Sequence, residues 1–265
     1  MIKMIVLDLD GTTLNENNQI SEENVKAIKK CYQHGVKVTL ASGRSEKAMR
    51  DFIIECDLED LFHICNNGAY IFKTDGTRFN IPYIAYKEIE HIKKSLEELE
   101  LPFVVCTADD FYYETSNELV QELITHGESP KNQVDDIIIL TNVLKFIILC
   151  RTQEEYERAK VIENDKLNVF RTSHDFVEIM SKGINKYSAV KELAKIYGIE
   201  NDEIMAMGDG ENDVPMLSGV GLGVAVANAR EETMSAAKIY SQWDNTEFAV
   251  AKEIEKYILS ECYEY

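Results

Sequence analysis

The stretch MIVLDLDGT, close to the N-terminus, limits the fold more than any other: a short apolar run rich in branched residues runs straight into two carboxylates and a glycine. The run from Ile2 to Leu9 is too short for a buried helix and reads as a strand apolar on both faces, which requires a sheet with both sides covered. In SEENVKAIKKCYQHG, Ser21 opens a helix, Val25, Ile28 and Tyr32 repeat at helical spacing, and Gly35 stops it. VKVTLASGR then reads as a second buried strand, SEKAMRDFIIECDL as a second helix and FHICNNGAYIF as a third strand. Strands alternating with helices imply a parallel sheet with right-handed crossovers.

The pattern changes near Pro82. A Lys- and Glu-rich helix (Tyr86 to Leu99) leads into PFVVCT and DFYYET, two strands joined by an acidic turn suited to a hairpin. The runs KFIILC, NVFRT and FVEIMSKG surround the helical QEEYERAKVIEN, so this section reads as a smaller α/β unit with its own sheet. From Lys186 the first pattern resumes, with KYSAVKELAKIYG as a helix, EIMAMGD and GVGLGVAV as strands and EFAVAKEIEKYIL as a closing helix. The expectation is an α/β chain: a Rossmann-like parallel-sheet core over residues 1–82 and 186–265, with a smaller α/β cap, 83–185, inserted between hinges near Pro82 and Lys186. A length of 265 residues suits two unequal units.

Composition narrows the partners. A net charge of -19 repels a phosphate backbone, and no basic patch offsets it, which argues against nucleic acid. Six cysteines without a C-x-x-C pair suggest neither a zinc knuckle nor a redox dithiol, but free thiols in a reducing compartment. No stretch approaches the roughly 20 apolar residues that span a bilayer, and MIKMIVLDLD turns acidic too soon for a signal peptide, so the expected location is the cytoplasm, away from membranes. His34, His63, His91, His126 and His174 form no metal-binding or triad-like grouping.

In an open parallel sheet, ligands collect beyond the carboxyl ends of the strands. Asp8 and Asp10 stand at such an end, two residues apart, and an extended backbone would send both side chains the same way. A lone D-x-D-G reads equally well as an Asx turn. A later strand, however, ends in MAMGDGENDVPML, with Asp209 and Asp213 flanking Asn212. Four carboxylates gathered at adjacent strand ends would repel one another, a cost best relieved by a hard divalent cation, with magnesium the implied ion. Between them, LASGR puts the hydroxyl of Ser42 and the N–H of Gly43 before a helix, where an anion is favoured or an ordinary cap suffices. Lys186, just before the helix YSAVKEL, reads either as a solvated lysine or, at the exit hinge of the insertion, as one that reaches the same cleft.

In this order the motifs DLDGT, LASGR, Lys186 and GDGENDVPML resemble the haloacid dehalogenase superfamily, and the insertion point together with CNNGAYI resembles its Cof-type sugar-phosphate phosphatases. The resemblance implies magnesium-dependent hydrolysis of a small phosphate monoester, with a small phosphorylated metabolite as the partner. Asp8 would be the nucleophile that forms an aspartyl phosphate, and Asp10 the acid and then the base. Magnesium would be held by Asp8, the carbonyl of Asp10 and Asp209, with Asp213 completing or orienting the shell. Thr12, Ser42, Gly43, Lys186 and Asn212 would bind the phosphoryl group, with Lys182 the alternative lysine, and Arg44 and Asn67 would lie near the substrate, where Arg44 reads equally as a first-turn helix residue and Asn67 as a turn former. The same motifs suit a phosphosugar mutase or a sugar-phosphate-binding regulator without turnover, and they leave the oligomeric state open.

Overall fold

The computed structural model describes residues 1–79, 82–125, 128, 130, 132–172 and 174–260; Cys262 and His126 lie outside the described residues. The chain divides into two compact units, Met1–Asn80 with Asn185–Tyr265, and Ile81–Ile184.

The first unit begins with β1 (Met4–Asp8), α1 (Glu22–Gln33), β2 (Lys37–Ala41), α2 (Glu46–Glu55), β3 (His63–Cys65), β4 (Tyr70–Phe72) and β5 (Arg78–Phe79). Every residue of β1 is buried, as its uninterrupted apolar sequence requires. Ser21 caps α1 by accepting the Asn24 N–H at 3.2 Å, and Gly35 follows that helix at φ +86°. The expected third strand is instead a hairpin: β3 and β4 are antiparallel, with Cys65 opposite Tyr70. Asn66, Asn67 and Gly68 all take positive φ, and three such residues in a row reverse the chain inside what reads as one apolar run.

The second unit holds α3 (Tyr86–Glu98), β6 (Phe103–Thr107), β7 (Phe111–Tyr113), α4 (Glu118–Thr125), β8 (Asn132–Gln133), β9 (Val143–Leu149), α5 (Gln153–Lys160), β10 (Leu167–Arg171) and β11 (Phe176–Ser181). Its sheet runs β10-β11-β9-β6-β7-β8. Residues alternate along β9: Phe146 and Ile148 pack with Ile89, Ile92 and Leu96 of α3, while Ile147 and Leu149 pack with Leu119, Val120 and Leu123 of α4. Lys145 and Glu178 form a buried ion pair at 2.7 Å between β9 and β11.

The chain re-enters the first unit with α6 (Lys186–Tyr197), then β12 (Ile204–Gly208), α7 (Val214–Gly219), β13 (Leu222–Ala225), α8 (Glu231–Ala236), β14 (Ile239–Tyr240) and α9 (Ala249–Ile254). The finished sheet has the order β14-β13-β12-β1-β2-β3-β4-β5. Strands from β14 to β3 are parallel, and β4 and β5 add an antiparallel edge. Leu7 lies beside Met207 and Asp8 beside Ala41, so Asp8, Ser42 and Asp209 emerge together at the carboxyl ends of the three central strands.

Candidate active site

β1 stops at Asp8 because the chain turns at once, through a wide helical turn over Leu9–Thr13 in which Gly11 has φ +78°. A Cβ at this glycine would overlap the carboxylate of Asp209, so both the φ and the space demand glycine. The turn brings Thr12 to the same carboxylate, and its Oγ1 donates to Asp209 Oδ1 at 2.9 Å.

Asp8 and Asp10 differ in burial and partners, though Asp10 lies near enough to help raise the pKa of Asp8 and Asp209. Asp8 is buried, whereas the side chain of Asp10 is 50% exposed and accepts a forked pair from Arg44, Nε to Oδ2 at 2.9 Å and Nη2 to Oδ1 at 2.6 Å. The strand ends at Asp8, and Asp10 sits within the following turn with extended backbone angles, φ -74° and ψ 120°. Of the four, Asp8, Asp209 and Asp213 gather most tightly, each offering an oxygen within 4.8 Å of the others.

Lys186 sits among them as the first residue of α6, completely buried. Its ammonium donates to Asp8 Oδ1 and, at 2.6 Å, to Asp213 Oδ1. Lys182 belongs to the other unit and pairs with Glu163 at 3.3 Å. Asp213 is held from both sides, because its Oδ2 accepts the N–H groups of Asp209 and Gly210, each at 3.1 Å.

Ser42 Oγ accepts the Arg44 N–H at 3.1 Å and donates to Asp10 Oδ2 at 3.4 Å; the cap of α2 is Ser45, which accepts the Ala48 N–H at 3.3 Å. Asn212 Nδ2 donates to Asn67 Oδ1 at 2.9 Å, and a Cβ on Gly43 would stand 2.9 Å from the Asn67 amide. Asn228, which no motif singles out, donates to the Gly11 carbonyl at 2.7 Å. Its partner lies 217 residues away, and no local pattern carries that signal.

The electrostatics follow from burial and crowding. Burial raises Asp8 well above the usual carboxylate range, Asp213 and Asp209 add to the shift, and Lys186 opposes it. Asp209 is pushed up to about 7 by burial and by Asp213, against the Thr12 hydrogen bond. Burial alone would lower Lys186, but Asp213 and Asp8 outweigh it and hold the ammonium charged. Three carboxylates thus face one ammonium, leaving an excess of negative charge among hard oxygen donors. That donor set fits a small divalent cation, which would take up the charge that protons otherwise neutralise.

A family model described as haloacid dehalogenase-like hydrolase matches residues 5–254. The chain belongs to that family. Among curated proteins it is 30% identical to 5-amino-6-(5-phospho-D-ribitylamino)uracil phosphatase YcsE of Bacillus subtilis, over 97% of this chain and 96% of that one. It is 31% identical to the chloroplastic endoribonuclease YBEY of Arabidopsis thaliana over 96% of its own length, and spans 46% of that longer protein. A solved haloacid dehalogenase-like hydrolase from Bacteroides thetaiotaomicron has the same architecture, with a TM-score of 0.83 and 26% identity over 97% of this chain and 99% of the other.

Proposed function

We propose that the protein hydrolyses a small phosphate monoester, a sugar phosphate or related phosphorylated metabolite, with magnesium and through an aspartyl phosphate on Asp8. The enzyme class is that of a phosphoric monoester hydrolase of the haloacid dehalogenase type, in keeping with its family and its phosphatase relative. The observation that carries the reading is the buried Asp8 carboxylate held by Lys186 beside Asp209 and Asp213.

In this reading Asp8 attacks phosphorus, and the leaving oxygen departs with a proton from Asp10. Water activated by Asp10 then attacks the phosphoaspartate and releases phosphate. Lys186, Ser42 and the N–H of Gly43 stabilise charge on the phosphoryl oxygens, with Thr12 and Asn212 setting the loops around them. Asp8, the Asp10 carbonyl and Asp209 would hold magnesium, oriented by Asp213. When bound, the ion supplies positive charge to the phosphoryl oxygens. The unit Ile81–Ile184 is read as a cap that selects the leaving group, and Arg44 and Asn67 as residues near the substrate. The phosphoribitylaminouracil named for the Bacillus relative is one compound of the expected class. The five described cysteines are all buried, and the proposed compartment is a reducing cytoplasm. Among the described residues no helix is long and apolar enough to cross a membrane.

The test is Asp8→Asn assayed with p-nitrophenyl phosphate and with sugar phosphates. An amide of nearly the same shape is a poor nucleophile, so turnover should fall by several orders of magnitude with the fold unchanged by circular dichroism. Wild-type activity should vanish with a chelator and return with magnesium. A variant retaining more than about a tenth of the activity, or full activity in chelator, would overturn the mechanism.

A further inference from the structure

Asn66, Asn67 and Gly68, the turn between β3 and β4, have φ of +46°, +54° and +95°. Left-handed backbone is unfavourable for two successive non-glycine residues, and both asparagines are buried, so the surroundings must enforce it. The turn touches three loops of the site. The Asn66 N–H donates to the Arg44 carbonyl and the Asn67 N–H to the Ser42 carbonyl, each at 2.9 Å. The Asn67 side chain accepts from Asn212.

The third contact involves no side chain. Gly68 lies flat against Asn185: a Cβ at position 68 would overlap the Asn185 carbonyl and stand 3.0 Å from the Lys186 nitrogen. Asn185 has little freedom to yield, because it caps α6. Its side chain accepts the Ser188 N–H at 2.9 Å, and its carbonyl accepts from Ser188 Oγ at 2.7 Å. Any atom added at position 68 must therefore displace the start of α6. The first residue of that helix is Lys186, whose ammonium is buried between Asp8 and Asp213.

We propose that Gly68 is a positioning residue of the phosphoryl site: through the Asn185 backbone it sets the reach of Lys186, and the left-handed Asn66–Gly68 turn is what lets the β3–β4 hairpin approach α6 so closely. This rests on the reading above, in which Lys186 stabilises the transferring phosphoryl group. Displacement of such a group by about 1 Å can cost on the order of 100-fold in rate.

A matched control exists within the chain. Gly76 has φ +93° in the turn between β4 and β5, with nothing within 4 Å of a Cβ placed there. Gly76→Ala imposes the same backbone strain as Gly68→Ala without the contact. Turnover of p-nitrophenyl phosphate at saturation should be measured on full-length protein, folded by circular dichroism, for both variants, for Lys186→Met, and for Gly68→Ala combined with Lys186→Met. Gly68→Ala should lower kcat by roughly 10- to 100-fold and Gly76→Ala by less than about 2-fold. In the Lys186→Met background Gly68→Ala should cost less than about 3-fold, since there is no longer an ammonium to misplace. Equal losses in both backgrounds, or an equal loss from Gly76→Ala, would overturn the positioning role and leave the reading of Lys186 intact. Wild-type turnover in Lys186→Met would overturn that reading, and this inference with it. Should Gly68→Ala not fold, Asn67→Gly loosens the turn without adding an atom; its loss should exceed about 3-fold only where Lys186 is present, and any other pattern counts against the proposal.

Discussion

Arg44 governs what Asp10 can do. The guanidinium is permanently charged, its side chain is only 10% exposed, and it grips the carboxylate with two nitrogens. In the proposed mechanism Asp10 gives a proton to the leaving oxygen, a service that matters in proportion to the basicity of that oxygen. Asp10→Asn should therefore lower kcat/KM for a sugar phosphate by about 100- to 10,000-fold, and for p-nitrophenyl phosphate by much less, because nitrophenolate leaves unaided. Equal losses on the two substrates would remove Asp10 from the acid role. At this scale the cluster of Asp8, Asp209 and Asp213 was legible because each ends or follows an apolar strand. The pairing of Asp10 with Arg44 was not, since it depends on an arginine 34 residues distant.

The hairpin that carries the Asn66–Gly68 turn is anchored by a histidine inside the sheet. His63 is fully buried, its Nδ1 accepts the Leu40 N–H at 3.1 Å, and its Nε2 donates to the Leu58 carbonyl at 3.0 Å. This pattern needs a neutral ring, and burial lowers its pKa to about 4, against the Leu58 hydrogen bond. The unfolded chain takes up the proton near the ordinary value of 6.5, so the folded state is the poorer proton binder. The stabilisation is complete above about 6.5 and is lost as the pH falls towards 4, amounting to about 3 kcal/mol. Denaturant unfolding of wild type and His63→Gln at pH 7 and pH 4.5 should show the wild-type advantage shrinking by most of that amount; an advantage independent of pH would contradict it. The same element is where sequence reading failed. FHICNNGAYIF is apolar enough for one strand, and only the positive φ of Asn66 and Asn67 makes it two. The helix α4, Glu118–Thr125, was not legible either, although α5, also eight residues long, was.

At the level of the whole molecule, the chain leaves the first unit after β5 and returns at Asn185, one residue before the buried lysine of the site. The change of pattern near Pro82 and its reversal at Lys186 made an insertion legible, because a parallel sheet built through crossovers and one built through hairpins differ in periodicity and spacing. Which residues of the proposed cap would meet a substrate was not legible, since the apolar residues of its sheet are accounted for by packing. Asp8, Asp10, Ser42, Lys186, Asp209 and Asp213 all belong to the first unit, so the phosphoryl chemistry should not need the second. Replacing Ile81–Ile184 by a flexible linker, on protein shown to be folded and monodisperse, should keep p-nitrophenyl phosphate turnover within about 10-fold of the full-length value. Differences in kcat/KM among sugar phosphates should shrink by a similar factor, because contacts that distinguish leaving groups have been removed while those to phosphorus remain. If the shortened protein ranked the sugar phosphates as the full-length enzyme does, selection would lie in core loops such as Asn66–Gly68, and the inserted unit would have another purpose.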